Sequence, residues 1–415
     1  MRFFSEVKIS LEYELLVCCS RTYLDSTTTE QIKILLQKNI NWEYLIDIAI
    51  EHGLISLLYW NLNEICPEII PSNTLTKLQD TFHANVAHTL KLTGELINIL
   101  HLFEKNNIPA IPYKGPVLAI TVYNNLAFRQ FGDLDILVRQ RDVIKAKKLL
   151  ISQGYRPLYA LSEGQEKIFL STRYSHPCVR DNDGISVDLH WRITKEHFPF
   201  PFDFEELWEN RQSVSLMGTT VFSPLLEDLL LLLCVHASKH RWERLNWICD
   251  IAELLHHYHE IDWKKLIDKA KLSGSQRMLL LGLNLAHQIL DTNLPESLLQ
   301  KIQKDIIIQS LTKEVYEYLF SDNYLRFKKS WMLEKADFYS SEAAFLIRLR
   351  ERLKDRLPYL IYLIGNRWLH PPNEKDKAFF SLPNSLSFFY YILRPIRLFQ
   401  EYIFHKNLLK HFFGL

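Results

Sequence analysis

The stretch RQFGDLDILV, Arg129 to Val138, sets two carboxylates one residue apart at the start of an otherwise apolar run. In an extended strand the side chains alternate, so Asp133, Asp135 and Leu137 share one face while Leu134, Ile136 and Val138 share the other. Two like charges on one face repel, and burying either unpaired costs roughly several kcal/mol. A divalent cation between them removes that cost. A solvated strand edge is the other reading of the same residues.

The flanking sequence reads as alternating strands and helices. IPAIPYKG (108–115) has strand character, PVLAITVYNNL opens a helix at Pro116, and RDVIKAKKLLISQGY forms a helix closed by Gly154. YRPLY is a candidate short strand. SHPCVR and ISVDLHW then form a hairpin about the turn Asp181 to Gly184, whose AspGly pair supplies the tight turn. In its second strand Ile185, Val187 and Leu189 alternate with Ser186, Asp188 and His190, which puts a third carboxylate opposite the apolar side. If this strand lies beside DLDILV, Asp133, Asp135 and Asp188 converge, enough to hold two Mg2+ ions with substrate phosphates completing their shells.

TyrLysGlyPro at 113–116 places a Gly at a strand end and a Pro at the first helical position, which turns helix N-terminal N–H groups toward the carboxylates. A phosphate is stabilised there, and Lys114 and Arg129 add positive charge, Arg129 with two-pronged donation. Arg129 as a partner of Asp133 or Asp135 is the structural alternative. Phosphates beside carboxylate-held metals mean phosphoryl-group chemistry.

The whole chain sets the frame. Its 415 residues, 47% hydrophobic and 23% charged, suffice for two or three domains with a sizeable core and exclude disorder. A net charge of +1 indicates no nucleic-acid partner, although a local basic patch fits within that total. Six cysteines without a CxxC pair suit reduced thiols and a cytoplasmic location. Charges interrupt the N-terminal segment where a signal peptide needs an apolar core, and no run reaches the roughly 18 apolar residues of a spanning helix. Helical periodicity covers about residues 8–107 and returns from about Ser223 with LLEDLLLLLCVHASKHRWERLNWICDIAELLHHYHE, so a mixed α/β insert of about a hundred residues sits between helical segments.

KGPVLAITVYNN, RQFGDLDILV, KAKKLLISQGY and SVDLHW together resemble the uncharacterised bacterial nucleotidyltransferase family, a branch of the DNA polymerase beta-like nucleotidyltransferase superfamily. INWEYLIDIAIEHGLISLLYWNL is similar to the family's leader, HASKHRWERLNWICDIAELL to its helical module and LPNSLSFFYYILRPIRL to its end. The resemblance implies an α+β fold: a small mixed β-sheet nucleotidyltransferase core embedded in a mainly α-helical chain. The divisions expected are a helical region at 1–107, the α/β core at 108–222, a second helical region at 223–365, and a Pro, aromatic and Arg-rich tail with a terminal helix at 366–415. It further implies that Asp133, Asp135 and Asp188 bind two Mg2+ ions, or Mn2+ in their place, one carrying an NTP (ATP among them) and one activating an acceptor hydroxyl. Attack on the α-phosphate then releases pyrophosphate. LysGly stands where the wider superfamily has GlySer, so Lys114 takes the phosphate contact beside Gly115 and Arg129. The acceptor, small molecule, RNA or protein, is unspecified. A different class of reading is a non-catalytic interaction or regulatory protein that keeps the fold, as half of a toxin-antitoxin or biosynthetic-cluster pair.

His236 and His240 lie four apart on a helix, the spacing of a zinc pair, yet AlaSerLys between them offers no general base. The resemblance suggests that, with His190, Trp242 and Asp250, they line an acceptor cleft; a polar seam between helices is the other reading. HisHisTyrHis at 256–259 reads as a helix C-terminal cap. FFYYILRPIRLFQEYIF suits packing on the helical body, with a membrane surface as the alternative.

Overall fold

The computed structural model of the protein describes residues 9–196, 198–321 and 335–369, with isolated positions beyond. The first described helices are α1 (Leu11–Cys18), α2 (Ser26–Leu36) and α3 (Trp42–Glu51), each with a polar N-cap, and α4 (Ile55–Ile65), which starts after Leu54 without a side-chain cap. Ser10, Asp25 and Asn41 each accept a hydrogen bond from a first-turn N–H, the partner that a helix start otherwise lacks. The long α5 (Ser72–Lys105) leads into the sheet.

The strands follow as β1 (Ala110–Pro112), β2 (Asp133–Val138), β3 (Arg156–Pro157), β4 (Ser175–Arg180) and β5 (Ile185–His190), joined in the order β1-β2-β5-β4-β3. β2 and β5 run parallel and the other neighbours antiparallel, so the sheet is mixed. Between the strands lie α6 (Gly115–Tyr123), α7 (Val143–Ser152) and α8 (Glu163–Thr172). After α9 (Phe204–Glu209), a separate hairpin pairs β6 (Gln212–Leu216) with β7 (Thr219–Ser223), turning on Met217 and Gly218, both at positive φ.

The period-2 pattern decides what each sheet face meets. Leu134, Ile136, Val138, Val187 and Leu189 share a core with Leu92, Leu96, Ile99 and Phe103 of α5 and Val143, Ala146 and Leu150 of α7. Ile111, Tyr113 and Leu137, on the opposite face, join the large core of the helical body. The acidic residues point toward that body.

That body is built from α10 (Leu226–Lys239), α11 (Leu245–His257), α12 (Trp263–Ser273), α13 (Gln276–Leu290), α14 (Glu296–Lys304) and α15 (Ile306–Leu319), with α16 (Lys335–Arg348) and α17 (Leu353–Leu369) after it. The N-terminal helices share this core: the Tyr13 ring meets Phe320 edge-on at 5.3 Å. Two helical segments far apart in sequence therefore make one hydrophobic body. The helical stretch read from about Ser223 divides into α10 and α11, with a break after Lys239 where Arg241 and Trp242 both adopt left-handed backbone. Such residues cost roughly 1–3 kcal/mol each unless their surroundings fix them. Here Trp242 is fully buried, its N–H donates to Ala237 O at 2.8 Å and its Nε1–H to Ser238 Oγ at 3.2 Å. The tail at 370–415 and its expected terminal helix lie outside the described residues, apart from isolated positions.

Candidate active site

Because β2 and β5 are parallel neighbours, their register sets the acids side by side. Asp135 is the Cα partner of Asp188, Asp133 of Ser186 and Leu137 of His190. One ligand atom each from Asp135, Asp188 and His190 lie within 4.8 Å of one another, the one potential metal-holding group of this size among the described residues. Asp133 stands at the open end of β2, exposed, and Asp135 is buried.

Both oxygens of Asp135 are engaged. His190 Nε2–H donates to Oδ1 at 2.7 Å, a direction set by the acceptor-only carboxylate, and Lys114 Nζ pairs with Oδ2 at 2.9 Å. Burial alone raises the Asp135 carboxyl, but the Lys114 ammonium and the His190 hydrogen bond outweigh it and hold the group far below the usual carboxylate range. Asp133 goes the other way. Although the residue is exposed at the strand end, the Asp135 charge first, then the protein packed around its carboxyl, push it up to about 6. Burial, reinforced by Asp135, also raises Asp188, despite His190 Nε2 lying 3.8 Å from its Oδ2. The three acids thus have more negative charge than Lys114 alone neutralises.

Lys114 and Gly115 join β1 to α6. The Tyr113 N–H reaches Asp135 O at 3.4 Å, continuing the β1–β2 ladder up to the site. Gly115 has φ +58°, where a side chain is strained, and a Cβ there would lie 3.5 Å from Asp133 O. No side chain caps α6, which leaves its first N–H groups available beside the carboxylates. The model of the family described as uncharacterised nucleotidyltransferase matches residues 38–291, more than half of the chain. The chain belongs to that family. No curated protein and no solved structure matches it.

The matched segment of this nucleotidyltransferase family member includes every site residue expected from the sequence, and three of them, Arg129, Asp250 and His190, are placed elsewhere than expected. Arg129 forms no ion pair with Asp133 or Asp135. It is buried, and its Nε–H and Nη2–H donate to the two oxygens of Asp250 on α11, both at 2.9 Å. Asp250 also accepts from Tyr123 Oη at 2.8 Å and is 1% exposed, so it does not line a cleft. The reason is a matched fork and carboxylate that neutralise each other inside the core, where neither tolerates being alone. Together they bolt the β2 approach and α6 to α11.

His190, expected toward the acceptor, instead belongs to the carboxylate cluster, with the Tyr113 ring edge-on to its imidazole at 5.5 Å. His236 and His240 are half-buried at the end of α10, rings 4.9 Å apart and both against Trp247, a packed polar seam with no third ligand beside them among the described residues. Burial, with the Lys114 charge for His236 and Lys239 for His240, keeps both below the usual imidazole range, His240 near about 3.

Two contributors escaped the sequence reading. Lys239 Nζ lies 4.3 Å over the Tyr174 ring and donates to Ile193 O at 3.3 Å, with no carboxylate near enough to pair among the described residues. Burial and the Lys114 charge push it down to about 7. Tyr174 in turn faces the His190 ring at 5.8 Å. Both were readable only as an ordinary helix-end lysine and a pre-strand tyrosine, since nothing local announces that α10 ends near the C-terminal end of β5.

Proposed function

We propose that the protein transfers a nucleoside monophosphate from an NTP to an acceptor hydroxyl, releasing pyrophosphate, with Mg2+ held by Asp133, Asp135 and Asp188. The observation that carries this reading is the β2–β5 register, which puts Asp135 directly opposite Asp188 on one sheet face. The donor set fits hard divalent cations: carboxylate oxygens in excess of local positive charge, with Mn2+ an acceptable substitute. Bound there, such ions neutralise phosphate charge and lower the pKa of the acceptor hydroxyl.

The chain's own residues supply the rest. Lys114 and His190 hold the two oxygens of Asp135; with a cation held by the carboxylates, the Lys114 ammonium would be left for a phosphate oxygen. Lys239, which burial and the Lys114 charge bring down to about 7, is a second phosphate contact that takes up its full charge when an anion arrives. The α6 N-terminus offers backbone N–H donors, and Gly115 keeps that approach clear of a side chain. His190 orients the Asp135 carboxylate. Arg129 and Asp250 act from the interior, holding the strand that carries the acids.

Isothermal titration of ATP with and without Mg2+, followed by α-labelled NTP transfer in a cell extract, tests this. Binding is expected to need the metal and to weaken in Lys239→Met, and label transfer is expected to vanish in Asp135→Ala. Metal-independent binding, or unchanged transfer in Asp135→Ala, refutes the assignment.

A further inference from the structure

The C-terminal part of the chain differs from the rest in charge and in what it exposes. Residues 348–415 hold twelve Lys and Arg against five Asp and Glu, a net +7, while the other 347 residues hold 37 against 43, a net −6. Residues 370–415 include eleven Phe and Tyr. On α17, Leu353, Leu357 and Ile361 recur at four-residue spacing on one face and are 78%, 57% and 61% exposed. Lys354 beside them is exposed too. Farther on, Leu386, Phe389 and Ile396 are exposed while Tyr390 and Arg397 are buried, so the apolar side chains again point outward.

A globular protein normally turns such a stripe inward, and three large aliphatic residues in register on an exposed face mark a contact surface. We propose that this basic, apolar C-terminal region docks on an anionic lipid surface, with Leu353, Leu357 and Ile361 entering the headgroup boundary and Lys and Arg residues meeting lipid phosphates. Basic charge beside an outward apolar face is the pattern of helices that lie in the interface plane. Spanning is not at issue: among the described residues no helix is long and apolar enough to cross a membrane. A second copy is the poorer occupant, because a self-contact brings together two regions whose sequences each carry a net charge of +7. RNA is poorer as well, since the α17 stripe of Leu353, Leu357 and Ile361 is aliphatic, whereas bases stack on rings. The inference is independent of the nucleotide chemistry.

Co-sedimentation of the full chain with phosphatidylcholine vesicles, alone or mixed with phosphatidylglycerol, decides it. The protein is expected to pellet with the mixed vesicles only, and less as salt rises. In Leu353→Glu/Leu357→Glu/Ile361→Glu the bound fraction should drop roughly tenfold or more, with an unchanged circular dichroism melt. Lys354→Glu, a single exposed change, should weaken binding more modestly and covers the case in which the triple variant misfolds. Equal pelleting of wild type and a folded triple variant overturns the proposal. So does absence of binding to anionic vesicles, whether the stripe then proves to mediate a dimer by light scattering or to retain a labelled oligonucleotide.

Discussion

Replacing Lys114 by Met probes the charge balance of the site directly. The Lys114 ammonium lies 2.9 Å from Asp135 Oδ2, with the two side chains only 11% and 6% exposed. Removing one partner of a buried pair costs about 3–5 kcal/mol, and the His190 hydrogen bond left on Oδ1 favours the lower end. With an unfolding entropy of about 2.1 cal/mol/K per residue, a chain of 415 residues loses about 1 °C of Tm per 0.9 kcal/mol, so Lys114→Met should melt about 3–5 °C lower in EDTA. Divalent metal then behaves oppositely in the two proteins. In the wild type a cation must displace the ammonium, whereas in Lys114→Met it meets Oδ2 unopposed. Mg2+ at a hundredfold excess over Kd stabilises by about 2.7 kcal/mol, or about 3 °C here. Differential scanning fluorimetry at neutral pH, with EDTA and with a Mg2+ titration, should therefore show a lower starting Tm and a larger Mg2+ response in the variant. Equal melting in EDTA, or an identical response in both proteins, refutes the picture of Lys114 as the resting counter-ion of Asp135.

Asp188→Asn should leave the fold intact, because Asp188 is only half-buried, yet abolish Mg2+-dependent ATP binding by calorimetry. The raised Asp133 carboxyl sets a pH dependence: a group lifted from about 3.9 unfolded to about 6 folded binds its proton more tightly in the native state, so its contribution to stability falls as pH rises from about 4 to 6. Cation uptake needs that proton removed, so Mg2+ affinity should weaken up to about tenfold per unit below pH 6, which calorimetry across that range reads directly. Arg129→Met should cost about 3–5 kcal/mol in urea unfolding, and Arg129→Met/Asp250→Leu less than the two single changes together, since the double change leaves no uncompensated charge inside. Gly282→Ala places a Cβ 2.7 Å from both Cys234 Sγ and the Trp242 ring, and should lower stability by about 1–3 kcal/mol on the same assay.

Much of the core was legible because its signals are local. Alternation in DLDILV and ISVDLH predicts which residues are apolar and which acidic on each strand, and the two core clusters divide along that line. AspGly at Asp183–Gly184 announces the β4–β5 hairpin, and the Gly115–Pro116 step announces the start of α6. The β6–β7 hairpin passed unread, its turn built on Met217 before Gly218 instead of a more recognisable Asn or Asp. The helix break at Arg241 and Trp242 was hidden for a related reason: neither residue favours left-handed backbone, and only the burial of the indole holds them there.

The charged residues divide the same way. By itself the sequence determined the strand faces, the acidic pair and the third acid, because side-chain alternation needs only the neighbouring residues. It also held the charge asymmetry of the C-terminal region. Partnership was decided by tertiary structure alone. Arg129 turned inward to Asp250 on α11, His190 closed on Asp135, and Lys239 arrived near the C-terminal end of β5 from a helix some fifty residues away. A buried charge takes whichever opposite charge the packing of distant elements brings within about 3 Å, and no local pattern encodes that distance.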